Sequence, residues 1–169
     1  MSEKKWEYLI SPDFEIRKII TSHYLSDCDT IVDIGAYKKK LPISKNITIH
    51  TIDPLSTIDR AFHGTFSQWL ESSPYLHGKI GVALLGFDFE SNEKEMVDLF
   101  RFLKTCHVIV LECAILHKPS LLQVQEAMKY LVDDFDISST IYLDLPKTEY
   151  EGFPTFAERV VYVIKRKKV

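Results

Sequence analysis

The chain has 169 residues, 46% of them hydrophobic, which is enough for one domain with a real core and too few for two ordinary ones. With 21 basic and 24 acidic residues the formal charge is −3, so no overall basic field marks the chain for nucleic acid or for an anionic membrane surface. Three widely spaced cysteines, Cys28, Cys106 and Cys113, read as reduced core thiols. The lack of about 18 consecutive apolar residues or an apolar signal segment after Met1 leads to the expectation of a soluble, cytoplasmic protein.

Taken in chain order, Ser11-Pro12 supplies an N-cap and an N1 proline for a helix ending near Leu25, with Phe14, Ile16, Ile19, Ile20 and Tyr24 as its expected inner face. Two short strands follow. Thr30 to Ile34 is an apolar run closed by Gly35, and Ile47 to Asp53 is β-branched until Pro54 ends its ladder. Arg60 to Phe66 reads as a third short strand and Ser67 to Ser73 as a helix. Lys79 to Phe89 is rich in Val, Ala and Leu, as a strand buried on both faces would be. Asn92 and Glu95 form a cap pair for a helix that turns Met96, Val97, Leu99, Phe100 and Leu103 inward. His107 to Cys113 is another apolar strand, and Ser120 with Gln123 reads as the capping box of a helix carrying Leu121, Val124, Met128, Leu131 and Val132. The last two strands, Ser139 to Leu145 and Glu158 to Arg166, have no helix between them and should pair antiparallel.

Continuous apolar strands alternating with helices predict a mostly parallel sheet covered on both faces. Together with the final antiparallel hairpin, the pattern resembles the three-layer, Rossmann-like α/β fold of S-adenosylmethionine-dependent methyltransferases, over nearly the whole chain as a single domain, 1–169. That family's first motif is an acidic residue followed by three alternating glycines. Asp33 and Gly35 match the acidic residue and the first glycine, Ala36 fits an intervening position, and Tyr37 and Lys39 replace the other two glycines. The second motif is an acidic residue at the end of the second strand that binds ribose hydroxyls, and Asp53 stands there, followed by Pro54. Phe66, on the side where the family holds adenine, could pack on it or serve as a core aromatic.

By this resemblance the cofactor is S-adenosylmethionine, and its site comprises Asp33, Gly35, Ala36, Tyr37, Asp53, Pro54 and Phe66. The stretch from Ala36 to Asn46 is near the minimum of about a dozen residues for a parallel crossover, and Pro42 interrupts it, so the family's first helix should be a turn or absent. Lys38, Lys39 and Lys40 could hold an anion there or simply face water.

Three residues are candidates for handling an acceptor's proton: Asp88 beyond the central strand, Glu112 within an apolar strand, and His117 in the loop after it. A carboxylate placed like Glu112 must be partnered or bear a burial penalty. No HExxH, paired CxxC, GxSxG or phosphate-loop pattern occurs, so no metal site, hydrolase elbow or triphosphate loop is expected. Two functions stay open. One is a methyltransferase for a small-molecule or sugar-like acceptor, working through an altered cofactor loop. The other is a methyltransferase-like domain without catalysis that binds a ligand or a partner.

Overall fold

A computed structural model describes residues 14–36, 40–44, 46–85, 93–116, 118–144, 149–150, 153–154 and 158–168. Its helices are α1 (Phe14–Leu25), α2 (Phe66–Glu71), α3 (Glu93–Leu103) and α4 (Lys118–Leu131). Its strands are β1 (Thr30–Ile34), β2 (Thr48–Ile52), β3 (Ile80–Leu85), β4 (Val108–Ala114), β5 (Phe135–Asp144), β6 (Glu149–Tyr150), β7 (Phe153–Pro154) and β8 (Glu158–Arg166).

Six strands form one sheet in the order β2-β1-β3-β4-β8-β5. The first four pair in parallel, and β8 is antiparallel to both β4 and β5. Five strands therefore share one direction and the last strand is reversed between two of them. This is the Rossmann-like, mostly parallel α/β architecture with an antiparallel C-terminal pair expected from the sequence. The small β6–β7 ladder lies within the connection between β5 and β8.

Alternate residues of each strand serve different layers. On one face Val32, Ile34, Val82, Leu84, Ile109 and Leu111 meet Phe66 and Trp69 of α2, Leu99 and Phe102 of α3, and Val124 and Ala127 of α4. On the other face Ile31, Ala83, Val108, Val110, Val161 and Val163 meet Leu25 of α1 and Leu41. Lys40 to Ser44 contain no helix, in line with the shortened crossover, and Leu41 and Ile43 pack onto the sheet where a longer connection would have laid a helix.

Several expectations are corrected. In α1 the residues turned inward are Arg17, Lys18, Thr21, Ser22 and Leu25, whereas Ile16 and Ile19 are 44% and 60% exposed. Tyr24 packs on the core as expected and Ile20 is half-buried, but the first turns rotate Ile16 and Ile19 outward because the sheet beneath them is charged. The predicted third strand shrinks to a single bridge between Ile52 and Phe62. α2 starts at Phe66 under a complete capping box of Thr65 and Gln68. α4 starts at Lys118, which places the buried Ser120 within its first turn. Val97 and Val132, expected to face inward, are exposed. Asn92 lies outside the described residues. Among the described residues no helix is long and apolar enough to cross a membrane.

Candidate functional site

Open parallel sheets bind ligands beyond the carboxyl ends of their strands, where side chains and free backbone groups converge. The register pairs Ile34 with Ile52, so β1 and β2 end side by side, and Gly35 N–H donates to the Ile52 carbonyl at 2.8 Å. Asp33 and Asp53 thus reach the same end of the sheet. By strand alternation both belong to the face that α1 covers, the face of Ile31 and Ile49. They are close enough for the charge of Asp53 to disfavour ionisation of Asp33.

Asp53 is 8% exposed and starts a series of tight turns. Its Oδ1 accepts from the Leu55 N–H at 2.7 Å, its carbonyl accepts from Ser56 N–H, and Ser56 Oγ accepts from Ile58 N–H at 3.0 Å. This Asx turn fixes the carboxylate at the strand end. Ile58 and Ala61 from the same loop close over Ala36, which is fully buried, while Pro54 points to solvent. Gly35 has φ +73°, a conformation that side-chain-bearing residues rarely take. Among the described residues, a Cβ built there would meet the Leu85 carbonyl oxygen, at 4.0 Å. The positive-φ backbone of Gly35 therefore lies at the same strand ends as Asp33 and Asp53.

Asp33 is not an open carboxylate. It is 1% exposed, and its Oδ2 accepts from Lys18 Nζ of α1 at 2.7 Å, with the lysine equally buried. Burial raises its pKa above the ordinary carboxylate value, and the neighbouring ammonium opposes that rise. Its Oδ1 is buried without a hydrogen-bond partner among the described residues.

Glu112 is a second buried carboxylate. Arg17 Nη1 from α1 donates to its Oε2 at 2.9 Å, and Arg159 Nη1 from β8 donates to its Oε1 at 3.0 Å. All three side chains are within 1% of full burial. Both oxygens are engaged and the side chain is buried, so Glu112 joins α1, β4 and β8.

Phe66 is also elsewhere. It is 2% exposed, tilted against Trp69 and Phe102 with ring centroids at 5.6 and 5.3 Å, and belongs to the core on the opposite face. Lys40 is exposed. Tyr37, Lys38, Lys39, Asp88 and His117 lie outside the described residues. A groove of about 330 Å³ follows the outer edge of β2, lined by His50, Arg60, Phe62 and Trp69 among others; neither Asp33 nor Asp53 lines it. Among the described residues no three His, Cys, Asp or Glu side chains gather as metal ligands would.

The residues that sequence reasoning missed are Arg17, Lys18 and Arg159. The signal for them was indirect: acids inside apolar strands, Asp33 and Glu112, oblige basic partners, and Arg17-Lys18 is a cationic pair set among apolar helix positions.

No protein-family model matches the chain, and no curated protein sequence matches it. Among solved structures it superposes on a proposed tRNA (m1A22) methyltransferase of Streptococcus pneumoniae with a TM-score of 0.44 at 11% identity, over 95% of this chain and 72% of that one. It also superposes on a precorrin-6y C5,15-methyltransferase of Geobacter metallireducens with a TM-score of 0.43 at 17% identity, over 91% and 89%. Neither likeness decides a substrate or a chemistry for this chain.

Proposed function

We propose that the chain binds the adenosine part of S-adenosylmethionine at the joined ends of β1 and β2 and acts as a methyltransferase on a small-molecule acceptor. The observation that carries this reading is the placement of Asp53, fixed by its Asx turn, beside the positive-φ backbone of Gly35. A carboxylate at a strand end can accept both hydroxyls of a ribose, and a glycine at positive φ leaves room for the ligand against the main chain. These residues fit the nucleoside end of the cofactor. When bound, the cofactor supplies an electrophilic methyl on a sulfonium. Of the side chains proposed to take an acceptor's proton, Asp88 and His117 remain, since Glu112 is committed to two arginines.

A second reading is favoured by one observation. The acid that matches the family's first motif, Asp33, is already paired with Lys18 and buried, as suits a domain that binds adenosine ligands without transferring a methyl.

Calorimetric titration of S-adenosylmethionine, S-adenosylhomocysteine and adenine nucleotides tests both. Asp53→Ala should weaken binding of adenosine ligands by about one to two decades, the loss of a charge-assisted hydrogen bond worth about 1.5–3 kcal/mol. Asp53→Asn, which keeps an oxygen for Leu55 N–H, should weaken binding while leaving the melting temperature near wild type. A folded wild-type protein that binds none of these ligands at millimolar concentration overturns both readings. Binding without methyl transfer to any acceptor in a small-molecule panel selects the second.

A further inference from the structure

β2 is the outer strand of the parallel half of the sheet, and among the described residues its outward hydrogen-bonding groups are paired only near its carboxyl end. There Phe62 N–H donates to the Thr51 carbonyl at 2.8 Å, and the Phe62 carbonyl accepts from Asp53 N–H at 3.0 Å, as one residue of an added parallel strand would do. One step toward the amino end, the Ile49 carbonyl and the Thr51 N–H present the same acceptor and donor, and no described residue bonds to either. The turns around Phe62 explain the vacancy. Ala61 N–H donates to the Ile58 carbonyl at 3.1 Å across a tight turn with Arg60 at φ +63°, and Gly64 N–H donates to the Phe62 carbonyl just after it. The chain therefore joins the sheet for a single residue, and the position before it is left as the groove of about 330 Å³.

A residue bonded to Ile49 and Thr51 stands opposite His50 and carries its side chain on the face of His50 and Phe62. That side chain meets Phe62, His50 and Trp69, which line the groove. The His50 and Trp69 rings are already packed edge to face at 5.5 Å, and His50 Nε2 lies 3.2 Å from the Tyr75 carbonyl, so the pocket is formed before anything enters it. Arg60 stands at the rim, 93% exposed. Its ion pair with Asp59 at 3.8 Å is equally open to water and worth little, and among the described residues no acid lines the groove.

We propose that the outer edge of β2 is a docking site for an extended, acidic segment of a partner protein, which adds to the sheet parallel to β2 and seats one apolar side chain against Phe62, His50 and Trp69. Main-chain pairing with Ile49 and Thr51 holds the segment, the pocket selects the residue opposite His50, and Arg60 favours carboxylates beside it. Neither Asp33 nor Asp53 lines this groove, so the proposal stands or falls independently of the adenosine site.

The probes are acetylated, amidated hexapeptides of alternating Val and Glu, or of alternating Val and Lys, titrated into the whole chain and followed by amide NMR and hydrogen exchange. The Val/Glu peptide should bind at about 10 µM to 1 mM, as small transient interfaces do, and at saturation should slow the Thr51 amide about tenfold or more. Methylating the valine nitrogens, which point at β2 when valine faces the pocket, should abolish binding, whereas methylating the glutamate nitrogens should leave it within about threefold. Arg60→Glu, made at an exposed side chain, should weaken the Val/Glu peptide about fivefold and strengthen the Val/Lys one. A Thr51 amide unmoved by about 2 mM Val/Glu peptide, equal binding of the two peptides, or binding that survives valine methylation overturns the proposal. So does a free chain whose Thr51 amide is already slow where sedimentation shows a dimer, since a second copy then fills the edge.

Discussion

Burial decides what the three cysteines can do. Cys28, Cys106 and Cys113 are all buried free thiols, and desolvation pushes their pKa values up to about 11, 12 and 12 from 9.0. Thiolate is the reactive form, so in the native protein none should react with a disulfide reagent at neutral pH within the time that denaturant exposes all three. Rapid labelling of any one in the folded state would show that its segment opens easily. A pH dependence follows with a definite sign. The folded chain holds these thiol protons more tightly than the unfolded chain, so their contribution is fully present below pH 9.0 and is lost as pH rises toward the folded values. The core role of the cysteines was legible in the sequence because an odd, scattered set in apolar segments has one simple use. Asp33 and Asp53 were legible through their positions at strand ends. Lys18 was not, since nothing in a lysine's local sequence says that it will be buried against an acid on another element.

At the scale of elements, α1 is held by charge as much as by apolar contact. Its C-terminal turn packs Leu25 with Ile31 and Val108, and its N-terminal half places Arg17 and Lys18 against Glu112 and Asp33. Thr21 and Ser22 follow on the same inner face and donate back to the Arg17 and Lys18 carbonyls at 2.8 and 2.7 Å, so neither buried hydroxyl is wasted. Periodicity alone counted Ile16 and Ile19 as inward, and both are exposed. The decisive information lay in the strands beneath, where acids interrupt runs that are otherwise apolar.

Breaking this hub should be costly. Glu112→Gln leaves two buried guanidinium groups facing a neutral amide and should lower the unfolding free energy by about 3–5 kcal/mol, read from the urea midpoint. Replacing the three charges together, as Arg17→Met, Glu112→Leu and Arg159→Met, should recover most of that loss, because the desolvation penalty disappears with the charges. By contrast, Glu126→Gln in the exposed pair with Lys129 should change stability by less than about 0.5 kcal/mol. A Glu112→Gln midpoint within error of wild type would mean that the three side chains do not form the buried unit described.

For the whole molecule, the succession of strands and helices was readable because buried parallel strands announce themselves as apolar runs; the lateral order and the insertion of β8 between β4 and β5 depend on long-range pairing that local residues do not encode. That order sets where the sheet is stable. Among the described residues, β1, β3, β4 and β8 each have a strand on both sides, whereas β5 has only β8, and β2 has β1 plus the single bridge to Phe62. The phase of β2 follows from its hydrogen bonds: Ile52 is bonded toward β1, and the Thr51 carbonyl and Asp53 N–H are bonded toward Phe62. Even-numbered residues of β2 therefore turn their amides to β1 and odd-numbered ones turn them outward. Native-state hydrogen exchange should show this alternation within a single strand. The amides of His50 and Ile52 should be protected and those of Ile49 and Thr51 should exchange early, while the interior strands exchange only through global unfolding at about 5–15 kcal/mol. Slow exchange at Ile49 and Thr51 would require another strand on that edge and would extend the sheet beyond β2. An adenosine ligand should slow Asp53, Leu55 and Gly35 without altering the alternation in β2, because it binds beyond the strand ends and adds no strand.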